Sequence, residues 1–161
     1  MRSIATIVID ESHRQALSTR PEVAARMNPV NPADASYAAA AAAATRAGFD
    51  VRVHTDGPIS AEVLAGADAL VLPHAADDAW ERTTGTGSPT LSPAELDAIE
   101  DFVTGGGGLV ILAETEQAKY GNNFAALASR FGIVIENTTV QDPSHAFKDV
   151  ATWVMADLLR G

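Results

Sequence analysis

Runs 4–9, 69–73 and 109–113 of this chain are apolar at nearly every position. A strand with one wet face alternates apolar and polar residues, so runs without that alternation suit strands covered on both sides, as in a parallel sheet. Run 51–54 and a weaker fifth, around 133–135 or 138–140, complete the β-rich set. Helix signals fall between them. Ser92-Pro93-Ala94-Glu95 joins an N-cap serine, a proline at the first helical position and a capping-box glutamate. Leu96, Ile99 and Val103 follow as an apolar stripe with Phe102 beside it, and glycines 105–108 end the helix. Asp34 or Ser36 can cap a helix over 38–47, Ser60 opens a short one to Leu64, and Asn122 or Asn123 starts one over 124–131. Gly48, Gly66 and Gly132 close these three. Segment 149–159 reads as a final helix with Trp153 on its apolar side. Alternating strands and helices predict an α/β fold: an open parallel sheet of about five strands, helices on both faces and right-handed crossovers.

The 161 residues fit one domain, 1–161. With no cysteine, the chain has no disulfide, no thiolate zinc site and no thiol nucleophile. A net charge of −10, with 11 scattered Lys and Arg, opposes binding to nucleic acid or to an anionic membrane. The longest apolar stretch, alanines 38–44, is far below the ~20 residues that span a bilayer. The N-terminus carries no long apolar leader core and no small-residue cleavage site, which predicts a cytoplasmic location. Connections 11–33 and 75–91 are longer than ordinary turns and are expected as lids. A homo-oligomer, or a further domain of a longer chain, stays open.

Ligands of open α/β sheets sit outside the carboxyl ends of the strands. Those ends here carry Asp10, Glu11 and His13; His54 and Asp56; His74 and Asp77; Glu114 and Glu116; and, past the fifth run, Asp142 and His145. All four histidines of the chain are in this set. Asp10, His13, His74 and Glu114 are chemically sensible ligands for zinc or a similar divalent ion, with Glu114 or Glu116 as a base. The plainer reading is that these side chains satisfy loop backbone by hydrogen bonding. The Thr83-Thr84-Gly85-Thr86-Gly87-Ser88 loop looks like a phosphate cradle but does not run directly into a helix and has no following lysine, so a lid is expected. Trp80, in a long loop, is a candidate stacking surface or a cover for the core edge. The dense polar run 114–123 follows a core strand and supplies Thr115, Lys119 and Asn122 as candidate ligand contacts.

The stretch Gly66-Ala67-Asp68-Ala69-Leu70-Val71-Leu72-Pro73, the helix Leu91-Ser92-Pro93-Ala94-Glu95-Leu96 with its glycine run and Leu109-Val110-Ile111-Leu112, and then Asn123-Phe124, Leu127 and Phe131-Gly132-Ile133 carry a resemblance. Together they resemble the class I glutamine amidotransferase-like superfamily, in its trehalose-utilisation-type (ThuA-like) and gliding-motility or intraflagellar-transport-type branches. Asp10-Glu11-Ser12-His13 is similar to an Asp-x-x-His after the first strand in the second branch. The resemblance implies that the nucleophile turn is Ala113-Glu114-Thr115-Glu116, where Glu114 or Thr115 stands in place of cysteine. A carboxylate cannot form the thioester of glutamine hydrolysis, so no glutaminase activity is expected. Non-thiol branches include sugar- and ligand-binding modules, which implies a binding domain for a small polar ligand at the rim, contacted by Trp80, Glu114, Lys119 and Asn122. A metal-dependent hydrolase or lyase at the same rim, and a scaffold domain, are the alternatives.

Overall fold

The computed structural model describes residues 4–155. Its centre is a four-stranded parallel sheet of β1 (Thr6–Asp10), β2 (Asp50–His54), β3 (Ala69–Leu72) and β4 (Gly108–Ile111), in the order β2-β1-β3-β4. Val8 pairs with Leu70, Leu70 with Leu109, and Leu72 with Ile111. Residues in register share a face, so Val8, Leu70, Leu72, Leu109 and Ile111 form one apolar surface. The helices α3 (Ala61–Leu64), α4 (Pro93–Thr104) and α5 (Phe124–Ser129) cover that surface with Leu64, Ile99, Phe124 and Leu127. Each fully buried side chain of this size contributes about 1.5–3 kcal/mol. On the opposite face Ile7, Ile9 and Val71 are half-buried and Val110 is exposed, so the continuous apolar runs are not buried equally on both sides.

Helix α4 starts where its sequence dictates. The Ser92 hydroxyl accepts from the Glu95 amide, and the Glu95 carboxylate accepts from the Ser92 amide at 2.8 Å. The glycine run that follows the helix has a steric reason of its own, because a Cβ at Gly107 would stand 2.3 Å from the Phe102 ring. The second helix, α2 (Ala38–Arg46), runs close to the expected span, and the Ser36 hydroxyl accepts from the Ala38 amide at 3.1 Å.

Three expectations are corrected. Connection 11–33 is not a bare loop. It holds α1 (Pro21–Met27), which starts on Pro21 and buries Val23, Ala24 and Met27 with Ala35 as a small second cluster. Pro21 opens α1 and Pro32 opens a single 3-10 turn, Pro32–Ala35, since a first-turn residue needs no intrahelical N–H partner. The fifth strand does not form among the described residues. Ile133, Val134 and Val140 are exposed, β4 is a sheet edge, and Leu109, Ile111, Phe131 and Ile133 line an apolar cleft of about 450 Å³ beside it. Segment 149–155 is not helical: Lys148 and Asp149 take positive φ (53° and 61°), and Ala146 bridges Val154 in antiparallel fashion. The rest of that expected helix, 156–159, lies outside the described residues. Among the described residues no helix is long and apolar enough to cross a membrane.

Candidate functional site

Strand β1 ends on Asp10, which is fully buried. Its Oδ1 accepts from the Ser12 amide (3.0 Å) and hydroxyl (2.7 Å), while Oδ2 meets His13 Nδ1 at 2.9 Å and Gln15 Nε2 at 2.6 Å. The other ring nitrogen of His13, Nε2, lies 2.9 Å from Glu95 Oε1. Glu95 in turn accepts from the amides of Ile59 and Ser92, both at 2.8 Å. A ring with a carboxylate at each nitrogen is best satisfied as the doubly protonated cation. Burial alone would lower the pKa of His13, but the hydrogen bond and charge of Asp10, joined by Glu95, raise it above 6.5. Burial pushes the Glu95 carboxyl up, and the Ser92 and Ile59 amides outweigh that and hold it below 4.5.

Glu11 is consumed in a similar way. It accepts from the Ser18 hydroxyl (2.7 Å), the Thr19 amide and hydroxyl, and Arg20 Nε (3.1 Å), so it folds the connection leading to α1. The glycine loop lies across this turn as a strap. The Arg14 amide donates to Thr86 O (2.7 Å), Arg14 Nε donates to Gly87 O (2.9 Å), and the Thr84 amide donates to Gln15 O (2.9 Å). A hydroxyl-lined hollow of about 400 Å³ remains beside His13, edged by Ser12, Thr86, Ser88 and Thr90.

A second assembly forms above β3 and β4. His74 is only 3% exposed, and Tyr120 packs on it edge-to-face with ring centres 4.4 Å apart. Among the described residues, neither ring nitrogen of His74 has a hydrogen-bond partner. Burial lowers its pKa below 6.5 against the pull of Glu114. The Leu72–Ile111 register puts His74 and Glu114 at the ends of adjacent strands. Burial and then the Glu114 charge raise the pKa of Tyr37, and the same two causes, opposed by Lys119, raise that of Glu81. The charge of Glu114, which is exposed just beyond β4, thus reaches Tyr37, His74 and Glu81 separately.

The remaining candidates divide. Asn122 is structural: its amide group donates to Ala75 O (2.5 Å) and its carbonyl accepts from Gln117 Nε2 (2.6 Å) and the Phe124 amide. Lys119 pairs with Glu116 at 2.8 Å, and its ammonium lies 5.0 Å from the centre of the Tyr120 ring. Glu116 itself holds a left-handed backbone (φ 54°). Thr115 is exposed and lines, with Glu114, Glu116 and Trp153, an open hollow of about 750 Å³. Trp80 is 59% exposed on a turn closed by Asp77. His54 bonds Gly57 O at 3.0 Å. His145 pairs with Asp142 on the surface, where hydrogen bonds from Ser144 and then His145 hold the Asp142 carboxyl down at about 2.

The expected ligand set of Asp10, His13, His74 and Glu114 is thus divided between the two assemblies. Among the described residues no three His, Asp or Glu side chains gather in a way that could hold a metal ion. The physical reason is that His13 spends both nitrogens on Asp10 and Glu95. Glu95, Gln15, Tyr37 and Glu81 were not expected in either assembly; Glu95 carried a signal only as a helix cap.

Fold and rim together define a parallel-sheet α/β domain with two separate polar assemblies at its strand ends. No protein-family description and no curated protein matches the chain. Among solved structures it is similar to one titled "mmIFT52 N-terminal domain", with a TM-score of 0.56 and 15% identity. The match covers 89% of this chain and 51% of that one, so this chain spans about half the length of the structure it resembles. At that identity the likeness concerns the fold alone.

Proposed function

We propose that this chain is a non-glutaminase, amidotransferase-like binding domain of the cytoplasm that takes a small polar ligand above β3 and β4, with His74 as its central contact. The strand order is the first four positions of the flavodoxin-like order, and the fold likeness to the mmIFT52 N-terminal domain is in keeping with that architecture.

The observation that carries the reading is His74 itself. A buried polar group without a partner costs about 1–3 kcal/mol, and a phenylalanine would fill the same place against Tyr120 without that cost. Retaining imidazole is explained if a ligand bonds it. Since both nitrogens are covered, entry requires the Lys119–Tyr120 segment to swing aside. Glu114, whose charge pulls on the pKa of His74 from beyond the neighbouring strand, is a further candidate contact. The metal-hydrolase alternative has less support, because His13 has no free lone pair while it bonds both carboxylates.

The test is an NMR screen of a polar fragment library that follows the His74 ring resonances. A saturable binder should shift them, and His74→Phe should weaken that binder at least tenfold while the amide spectrum keeps its dispersion. A library that moves no His74 signal, or a binder indifferent to His74→Phe, would sink the reading.

A further inference from the structure

We infer that the open edge of β4, with the apolar cleft beside it, docks an extended segment of another polypeptide, apolar on one side and basic where it passes the strand end. β3, the strand that leads to His74, lies on the other side of β4, so such a partner is additional to any ligand of that ring.

Among the described residues β4 pairs with β3 alone. The Gly108 and Leu112 amides donate to Asp68 O (2.8 Å) and Leu72 O (2.9 Å), which turns them toward β3. Backbone groups alternate in direction along a strand, so those of Leu109 and Ile111 face away from the sheet. Neither of these two has a backbone partner on that outer side among the described residues. Nothing in the sequence blunts the edge: residues 105–113 contain no charge and no proline, the usual guards of an exposed strand. An added strand would pair with the outward amides and carbonyls of both residues.

The side chains offer the same fit. Leu109 and Ile111 point to the helix-covered face, and with Val103, Phe131, Ile133 and Ile135 they line the wholly apolar cleft of about 450 Å³. Alternate residues of an added strand stand over that face, so apolar side chains two positions apart enter the cleft. On the opposite face Val110, 45% exposed, gains a neighbour.

Charge at one end of the cleft selects the partner's chemistry. Glu114 follows Ala113 and Glu136 follows Ile135, both lining residues. The Asn137 side chain accepts from the Ala118 amide at 2.9 Å, which holds this stretch beside the turn after β4. Neither Glu114 nor Glu136 has an ion-pair partner among the described residues. Arg130, just after α5, is engaged with Asp97 and Glu100, and Lys119 with Glu116. Beyond the same strand end lies the hollow of Glu114, Glu116 and Trp153, whose exposed ring stacks on Phe147 with centres 6.3 Å apart. Carboxylates and an exposed indole both favour a lysine or arginine. A second copy of this chain fits worse, because its own β4 edge, residues 105–113, brings no basic residue to that end.

Two capped peptides test this on the whole chain: Lys-Lys-Val-Thr-Val-Thr-Val-Lys-Lys, and the same sequence with glutamates for the lysines, each titrated at low salt. The lysine peptide should saturate the protein and slow hydrogen exchange at the Leu109 and Ile111 amides. It should bind about tenfold tighter than the glutamate peptide. Ile133→Lys, at a side chain 59% exposed, should weaken the lysine peptide about tenfold. Glu136→Lys should bring the affinities of the two peptides together. Equal affinity of the native chain for both peptides would overturn the inference. So would saturation that leaves the Leu109 and Ile111 amides exchanging as before, or the absence of binding. Protection of those amides that grows with protein concentration and needs no peptide would overturn it in favour of a second copy.

Discussion

Nε2 of His13 lies 2.9 Å from Oε1 of Glu95, and this contact fastens the turn after β1 to the first turn of α4. The same carboxylate holds the Ile59 amide and closes the capping box. Removing it leaves a buried imidazolium with one partner, two backbone amides without an acceptor and a helix without half its cap. Breaking a buried pair from one side costs about 3–5 kcal/mol. Glu95→Ala should therefore lower stability by that amount in urea titration, and Ser92→Ala by only about 1 kcal/mol, a typical cap loss. Equal losses for the two would mean that the His13 contact contributes nothing.

The pH dependence of this contact has a definite sign. The folded-state pKa of His13 is raised above 6.5, so between those values the folded chain holds a proton that the unfolded chain has released. Its stabilisation is complete below about pH 6.5 and is lost as pH rises through the raised value. Glu95 runs the other way: its pKa is held below 4.5, so its share is present above 4.5 and lost on acidification. The stability advantage of the native chain over His13→Gln should be greatest between those limits and shrink toward alkaline pH. Denaturation midpoints measured across the range check this, and an advantage that grows with pH would contradict it.

Gly87 and Gly85 share a left-handed backbone, φ 68° and 73°, but differ in surroundings. A Cβ at Gly87 would stand 2.2 Å from the backbone oxygen of Ser12, whereas one at Gly85 meets nothing within 4 Å. Gly85→Ala should cost only the backbone strain, about 1–2 kcal/mol. Gly87→Ala should cost more, because the strap must lift off the β1 turn, and hydrogen exchange at the Arg14 and Thr84 amides should accelerate. Protected amides in that variant would show that the strap is held by other contacts.

Local signals were legible and long-range pairings were not. The four strands and the Ser92–Glu95 cap follow from periodicity and from contacts within a few residues. The second use of Glu95, as partner of His13, depends on how β1 and α4 are brought together, and spacing along the chain contains no trace of it. Helix α1 was hidden because Pro21, Pro29 and Pro32 read as breakers, although Pro21 sits where a helix tolerates proline best. The expected fifth strand, around 133–135 or 138–140, had the right composition but finds no neighbour among the described residues. At the rim, His74 and Glu114 were visible as strand-end residues. The burial of one and the exposure of the other were not.

Chelation should be silent. Because Asp10 and His13 bond each other and Glu95, rather than converging with His74 and Glu114, dialysis against EDTA should leave the urea midpoint where it was. A drop reversed by zinc would show that a metal does organise the strand ends.

His74→Phe should stabilise the chain while abolishing ligand binding. Phenylalanine keeps the edge-to-face packing on Tyr120 and removes two buried nitrogens that lack partners among the described residues, a gain of about 1–3 kcal/mol. For a chain of this size that is roughly 2–4 °C in Tm per kcal/mol. The gain should widen on acidification. His74 has its folded pKa below the unfolded 6.5, so below 6.5 the unfolded chain takes up a proton that the folded chain refuses, and the native protein loses stability through that range. The variant has no such loss. A protein that is more stable and no longer binds is the pattern of a side chain kept for function at a cost in stability. If His74→Phe instead lowers Tm, imidazole is contributing to the fold, and its role as the ligand's central contact loses its support.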